Sequence, residues 1–241
     1  MHTGSAATAI GAAKHSKDGP LPPLLLILTA VTGLVDAVSY LELGHVFVAN
    51  MTGNVVFLGF AAAAAPGLSA PASLAAIGAF LAGALAGGRL ASHFAGHRGQ
   101  MLAIASYIIV ALVGAALIAA AGGSYDDAAL RYALIVLLAA AMGVQNAAVR
   151  RLGVSDLTTT VLTLTLTGLA ADSPLAGGTN PNAGRRIAAT ATMLVGAAIG
   201  AFLIRFIGVS AALALALALL VANAVAAHRL SSSTDAWTDA S

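Results

Sequence analysis

Leu24–Leu43 reads LLLILTAVTGLVDAVSYLEL, and Val46–Ala65 follows as VFVANMTGNVVFLGFAAAAA. The first run is long enough to cross a roughly 30 Å hydrocarbon core and carries one acid, Asp36, about a dozen residues in. The second carries Asn50, Thr52 and Asn54. An ionisable group at mid-depth in a bilayer costs roughly 2.5–3.5 kcal/mol on insertion scales, so it persists where it is paired or used. These two runs decide the fold class and set the functional question together.

The rest of the chain agrees with a membrane reading. Of 241 residues, 59% are hydrophobic and 8% charged, against about 25% charged in a soluble domain; mean hydropathy is +0.94. Only fourteen Asp, Glu, Lys and Arg lie between Leu24 and His228, mostly at the ends of apolar runs. Eight apolar segments stand out, at 24–43, 46–65, 72–92, 101–121, 129–149, 155–172, 187–207 and 209–228. Lipid offers no water to loose backbone groups, so all are expected as helices. That includes Thr158–Thr167 (TTTVLTLTLT), whose alternation imitates a strand, because a barrel needs many such segments. The predicted fold is an all-α polytopic helical bundle in one transmembrane domain, 24–228. Residues 1–23 are expected to form a disordered cytoplasmic arm, and 229–241 a disordered tail.

The two halves, about 24–121 and 129–228, resemble each other. Asp36 pairs with Asn146, Gly44 with Gly153, Thr52 with Thr163, and Gly83/Gly87 with Gly196/Gly200. Internal repeats of this kind are common in transporters, with the site between them near the midplane. If 24–65 and 129–172 each make one net crossing, through a broken helix or a re-entrant hairpin, six net crossings result. Lys14, Lys17, Arg89, Arg98, Arg185, Arg186 and Arg229 then share the cytoplasmic side. Counting every segment gives eight helices and places the arm outside; Arg150, Arg151 and Arg205 fit the six-crossing count less well.

The phrases Val31–Tyr40 (VTGLVDAVSY), Gly44–Gly59 (GHVFVANMTGNVVFLG) and Gly143–Leu152 (GVQNAAVRRL) resemble the YoaK family of bacterial inner-membrane proteins, also called the domain-of-unknown-function 1275 (DUF1275) family. The resemblance covers nearly all of 24–228 and implies a multi-pass inner-membrane protein with around six membrane segments. It implies no particular activity. Where the family's second half often has Thr-Gly-Thr-Leu-Thr, this chain has Leu162–Thr167 (LTLTLT), so a glycine is missing at that point.

Asp36 has two readings: an ion-coordinating or proton-titrating carboxylate, or a structural one that pairs with an arginine or caps a broken helix. Asn50 and Asn54 share a helix face while Thr52 points away; unwinding at Thr52-Gly53 would aim all three at one point, as discontinuous transporter helices do. Interhelical hydrogen bonding is the plainer use. Gln145 and Asn146 are the second-half counterparts, and Thr160, Thr163 and Thr167 form one stripe on a helix. Gly83/Gly87 and Gly196/Gly200 are small-residue packing faces, expected to pack the third segments of the two halves against each other or across a dimer. The absence of cysteine excludes disulfides and thiolate sites. Histidines show no ligand spacing, and neither metal nor cofactor is expected. Nucleotide-binding and hydrolase motifs are absent, so an enzyme is not expected. Despite a pI near 9.3, the arginines lie at helix ends rather than on one patch, which argues against nucleic acid. The expected partners are the lipid bilayer, an unknown small polar solute or ion, and possibly a second copy of the chain. The reading is a secondary transporter or facilitator lined by Asp36, Asn50, Thr52, Asn54, Gln145, Asn146 and Thr163. The alternative is a non-transporting membrane scaffold or sensor whose polar residues are structural.

Overall fold

A computed structural model describes residues 17–94, 96–123, 127–160 and 162–238, and among these the regular structure is helical. In chain order the helices are α1 Leu21–Glu42, α2 Met51–Ala62, α3 Ala70–His93, α4 Arg98–Gly122, α5 Ala128–Leu152, α6 Leu162–Ala171, α7 Ala183–Phe206 and α8 Val209–Leu230. Six of them, of 22 to 25 residues, are long and apolar enough to cross a membrane. The other two, α2 and α6, have 12 and 10 residues and cannot. The protein is thus a polytopic helical bundle with six spans and two half-length helices. Ends are set locally. Pro22 and Pro23 sit in the first turn of α1, where their missing N–H groups cost nothing. Ser69, His97 and Asp127 cap α3, α4 and α5 by accepting from Ala72, Gln100 and Ala129 N–H.

Contacts at one end of the bundle fix the helix directions. Arg98, at the start of α4, donates to the carbonyls of Lys17 (3.3 Å), Trp237 (3.3 Å) and Leu152. Arg185, near the start of α7, bonds Asp18 at 2.9 Å. The starts of α1, α4 and α7 therefore meet the ends of α5 and α8. The six long helices alternate in direction: up, down, up in the first half, then down, up, down in the second. Arg150 and Arg151 close α5 at this basic end. The six-crossing count accommodates them because α5 spans the bundle alone and the following segment re-enters.

Close packing comes from glycine. On α3, an added Cβ at Gly83 would collide with the Ala140 carbonyl of α5, and at Gly87 it would come within 3.0 Å of Val144. Reciprocally, Gly143 on α5 lies on the Phe80 carbonyl. The arrangement recurs where α7 crosses α1: Gly196 lies on the Ala30 carbonyl, Gly200 approaches Ala37 at 2.9 Å, and Gly33 approaches the Met193 carbonyl at 2.5 Å. So within the chain the glycine helices do not pack on each other, contrary to the expectation from sequence. Each packs on the first helix of the opposite half, interlocking the halves. The most buried helices are α1 and α5; their Leu25, Leu28, Leu34, Leu134, Leu138 and Met142 centre the core.

Two expectations about the termini change. The N-terminal arm gives way to α1 at Leu21 rather than residue 24, and residues 1–16 lie outside the described residues. The tail, expected as disordered, is folded as far as Thr238. Trp237 is 5% exposed and lies so close to Gly19 that a Cβ there would strike the indole. The His97 ring bonds the Ser233 carbonyl at 2.8 Å. One large apolar side chain and satisfied backbone carbonyls hold a segment that is otherwise small and polar.

Candidate functional site

Between α1 and α2 the chain turns at Gly44 (φ 97°) and His45 (φ 56°), a left-handed bend that glycine enters without strain. It then runs back into the bundle as a non-helical stretch, Leu43–Asn50. Val46, Val48 and Ala49 are buried. Irregular backbone at membrane depth survives only where it is buried in protein or lines a cavity, with its polar groups satisfied. Asp36 Oδ1 supplies part of this, accepting from Val48 N–H at 3.1 Å and Ala49 N–H at 2.9 Å. Asn54 supplies another part: its Oδ1 accepts from Phe47 N–H at 2.9 Å and its Nδ2 donates to the Phe47 carbonyl at 2.6 Å. Phe47 also stacks on Tyr40 and on Phe57, at centroid distances of 5.1 and 5.8 Å, and those two rings lie 6.2 Å from each other, so the three form one cluster. Asp36 precedes the end of α1 by six residues, so the loop descends about 9 Å before α2 climbs back.

The second half repeats this from the basic end. Gly153 (φ 65°) closes α5 in the left-handed conformation, and the chain re-enters to Thr160 before α6 returns. Asn146, also six residues before its helix ends, accepts from Thr160 Oγ1 at 2.6 Å. Gln145 is fully buried; its Nε2 donates to Thr32 Oγ1 on α1 at 2.9 Å, while its Oε1 has no partner. Arg186 of α7 spans both limbs of this hairpin, bonding Asp156 at 2.9 Å and Asp172 at 2.7 Å. Nothing in the spacing of Asp156, Asp172 and Arg186 along the chain signals this clamp.

The two hairpins enter from opposite ends, and the first residues of α2 and α6 meet at one cavity of about 430 Å³. Asn50 and Thr52 line it from the first half, and Asn146, Thr160 and Thr163 from the second, between Phe80 of α3 and Met193 of α7. A second cavity, of about 830 Å³, shares Phe80 and Asn146 with it and reaches Arg150 and Arg151 at the basic end.

Four of the sequence candidates, Asn50, Thr52, Asn146 and Thr163, are thus brought together, and three are not. Asp36 stands behind the loop with its oxygen on backbone amides. Asn54 turns toward Phe47 and is wholly buried. Gln145 ties α5 to α1. The expected break at Thr52-Gly53 lies earlier, at Leu43–Asn50; Thr52 and Gly53 are in the first turn of α2. The threonine stripe is likewise interrupted, because Thr160 precedes α6. Phe80 and Met193 went unnoticed, since one aromatic and one thioether in apolar helices carry no sequence signal.

The chain is 36% identical over 156 residues to the UPF0700 transmembrane protein YoaK of Bacillus subtilis (strain 168), over 62% of this chain and 65% of that protein. It therefore spans just under two thirds of that relative's length. No solved structure gives a significant match. The family model described as "Protein of unknown function (DUF1275)" matches residues 24–226, which takes in every span and both hairpins. The chain belongs to the DUF1275 family and is a multi-pass membrane protein.

Proposed function

We propose that the protein is a secondary transporter or facilitator that moves a small polar solute through the central cavity. The observation that carries this reading is the convergence of two re-entrant helices, one from each half, on a single polar cavity that adjoins a second one opening at the basic end. Half-helices meeting near the midplane between inverted repeats are the usual construction of a carrier site. Treating α1–α4 and α5–α8 as such repeats accounts for the paired crossings of α1 with α7 and α3 with α5. Lys17, Arg89, Arg98, Arg150, Arg151, Arg185, Arg186 and Arg229 at one end, against Arg131 and Arg205 at the other, support a cytoplasmic N-terminus in a bacterial inner membrane. No chemical step is assigned to the protein; it works as a carrier rather than an enzyme. Asp36 acts as a positioning residue, holding the loop that presents Asn50 and Thr52.

A scaffold is the competing reading, favoured by Asp36, Asn54 and Gln145, which spend their hydrogen bonds on the protein itself. Liposomes containing the purified protein, challenged with osmotic gradients of nitrate, urea and guanidinium salts, separate the two. Solute flux above that of protein-free liposomes, abolished in a Thr52→Leu/Thr163→Leu double variant of unchanged thermal stability, is expected. Flux of none of the three contradicts the carrier.

A further inference from the structure

We propose that the solute is a small anion; this rests on the carrier reading above and adds the sign of the cargo. Charge around the path is one-sided. Arg150 and Arg151 line the cavity at the basic end, and among the described residues neither makes an ion pair. The carboxylates nearby are already engaged. Asp36 holds the Val48 and Ala49 amides, Asp156 and Asp172 share Arg186, and Asp18 is taken by Arg185. Among the described residues no carboxylate lines either cavity. The central one presents the side-chain amide of Asn50, the hydroxyls of Thr52 and Thr163 and the edge of the Asn146 amide, which is already bonded to the Met142 carbonyl and Thr160 Oγ1. The Asn50 side chain makes no capping bond to α2, so it remains available to a solute. At this same point the first turns of α2 and α6 add N–H groups that have no carbonyl one turn back in their own helix, although the Leu162 N–H reaches the Thr160 carbonyl at 3.2 Å, and the positive ends of two helix dipoles, each equivalent to roughly half a charge. A cation passing here would meet arginines and two positive helix ends with no counter-charge. A neutral solute would gain hydrogen bonds alone. An anion gains both, in a site where low dielectric magnifies the difference.

Nitrate, urea and guanidinium share a planar trigonal shape and carry negative, zero and positive charge, so in proteoliposomes they isolate charge from size. Nitrate is expected to pass about tenfold faster than guanidinium, and faster than urea. The Asn146→Asp variant keeps the acceptor for Thr160 Oγ1, gives up the Nδ2 donor to the Met142 carbonyl within α5, and copies the carboxylate that the first half carries at Asp36; its thermal stability is measured beside its flux. It is expected to lower nitrate flux about tenfold by placing a negative charge on the path. Arg150→Gln/Arg151→Gln, on exposed side chains, provides a second variant that leaves the packing alone and is expected to slow nitrate several-fold. Urea or guanidinium passing as fast as nitrate overturns the anion assignment and leaves the carrier standing. Nitrate flux unchanged in both variants also overturns it. Silence of all three probes overturns both readings.

Discussion

Replacing Asp36 distinguishes a carboxylate that holds structure from one that handles cargo. Its Oδ1 accepts two buried N–H groups, from Val48 and Ala49, at 3.1 and 2.9 Å. In Asp36→Ala both amides lose their partner, and an orphaned buried donor costs roughly 1–3 kcal/mol. The expected loss is therefore about 2–6 kcal/mol, and at roughly 2–4 °C per kcal/mol the unfolding midpoint falls by at least about 4 °C. Asp36→Asn keeps a carbonyl oxygen where Oδ1 sits. It trades two charge-assisted bonds for neutral ones, roughly 1 kcal/mol each. It also removes the need to hold an ion away from water, which offsets much of that loss. Its stability should lie within about 1 kcal/mol of the parent, and its flux in liposomes should be retained. Thermal unfolding in detergent by circular dichroism, alongside flux, provides both readouts. An alanine variant as stable as the parent but inactive would refute the reasoning, because the carboxylate would then act on the solute. An asparagine variant that folds normally but carries nothing would refute it too.

Three further expectations follow from the packing. Gly143→Val should prevent assembly of α3 on α5, because its side chain would enter the Phe80 carbonyl; Gly88→Ala meets nothing within 4 Å and should be neutral or stabilising by up to about 1 kcal/mol. Expression and monodispersity in detergent check both. Asn54→Ala should destabilise by roughly 1–3 kcal/mol or more through the lost pairing with Phe47, whereas Asn50→Ala, exposed and uncapped, should alter flux while changing stability by less than about 0.5 kcal/mol. Trp237→Ala should loosen the C-terminal segment from Gly19 and Arg98, seen as faster proteolysis after Leu230 with the spans intact.

The spans were legible because hydrocarbon imposes one rule, some twenty apolar residues per crossing, and α1, α3, α4, α5, α7 and α8 obey it. The close-packing glycines were legible as small-residue pairs, but their partners were not, since a stripe of glycine says how near another helix comes and not which one. Gly33 and Gly143, the reciprocal contacts, went unnoticed for the same reason. Re-entrant hairpins in 24–65 and 129–172 were among the expected routes to six crossings, but the place of the break escaped for a different reason. Val46, Val48 and Ala49 are buried in protein, so their apolarity matches that of a helix in lipid, and hydropathy reads straight through the break into α2. The signs that remained were Gly44 and Gly153, which take left-handed turns, and the polar residues that tie the loops down. Asp36 and Asn54 were recognised as unusual but assigned to the cargo. Distinguishing a loop's anchor from a solute's ligand needs the three-dimensional partner. The folded tail hung on the chain's one tryptophan, whose burial no local pattern announces.

The central claim is that α2 and α6 bring Thr52 and Thr163 to one cavity that a polar solute can enter. The chain has no cysteine, so single thiols can be introduced without background. Thr52→Cys and Thr163→Cys, reconstituted in liposomes, are treated with a hydrophilic thiol reagent, beside Leu81→Cys and Leu194→Cys on outward faces that are 60% and 69% exposed to the surroundings of the bundle. Rapid modification of both cavity positions, with the two outward positions protected by lipid, is the predicted result. Cavity thiols as slow to react as the lipid-facing ones would contradict the account.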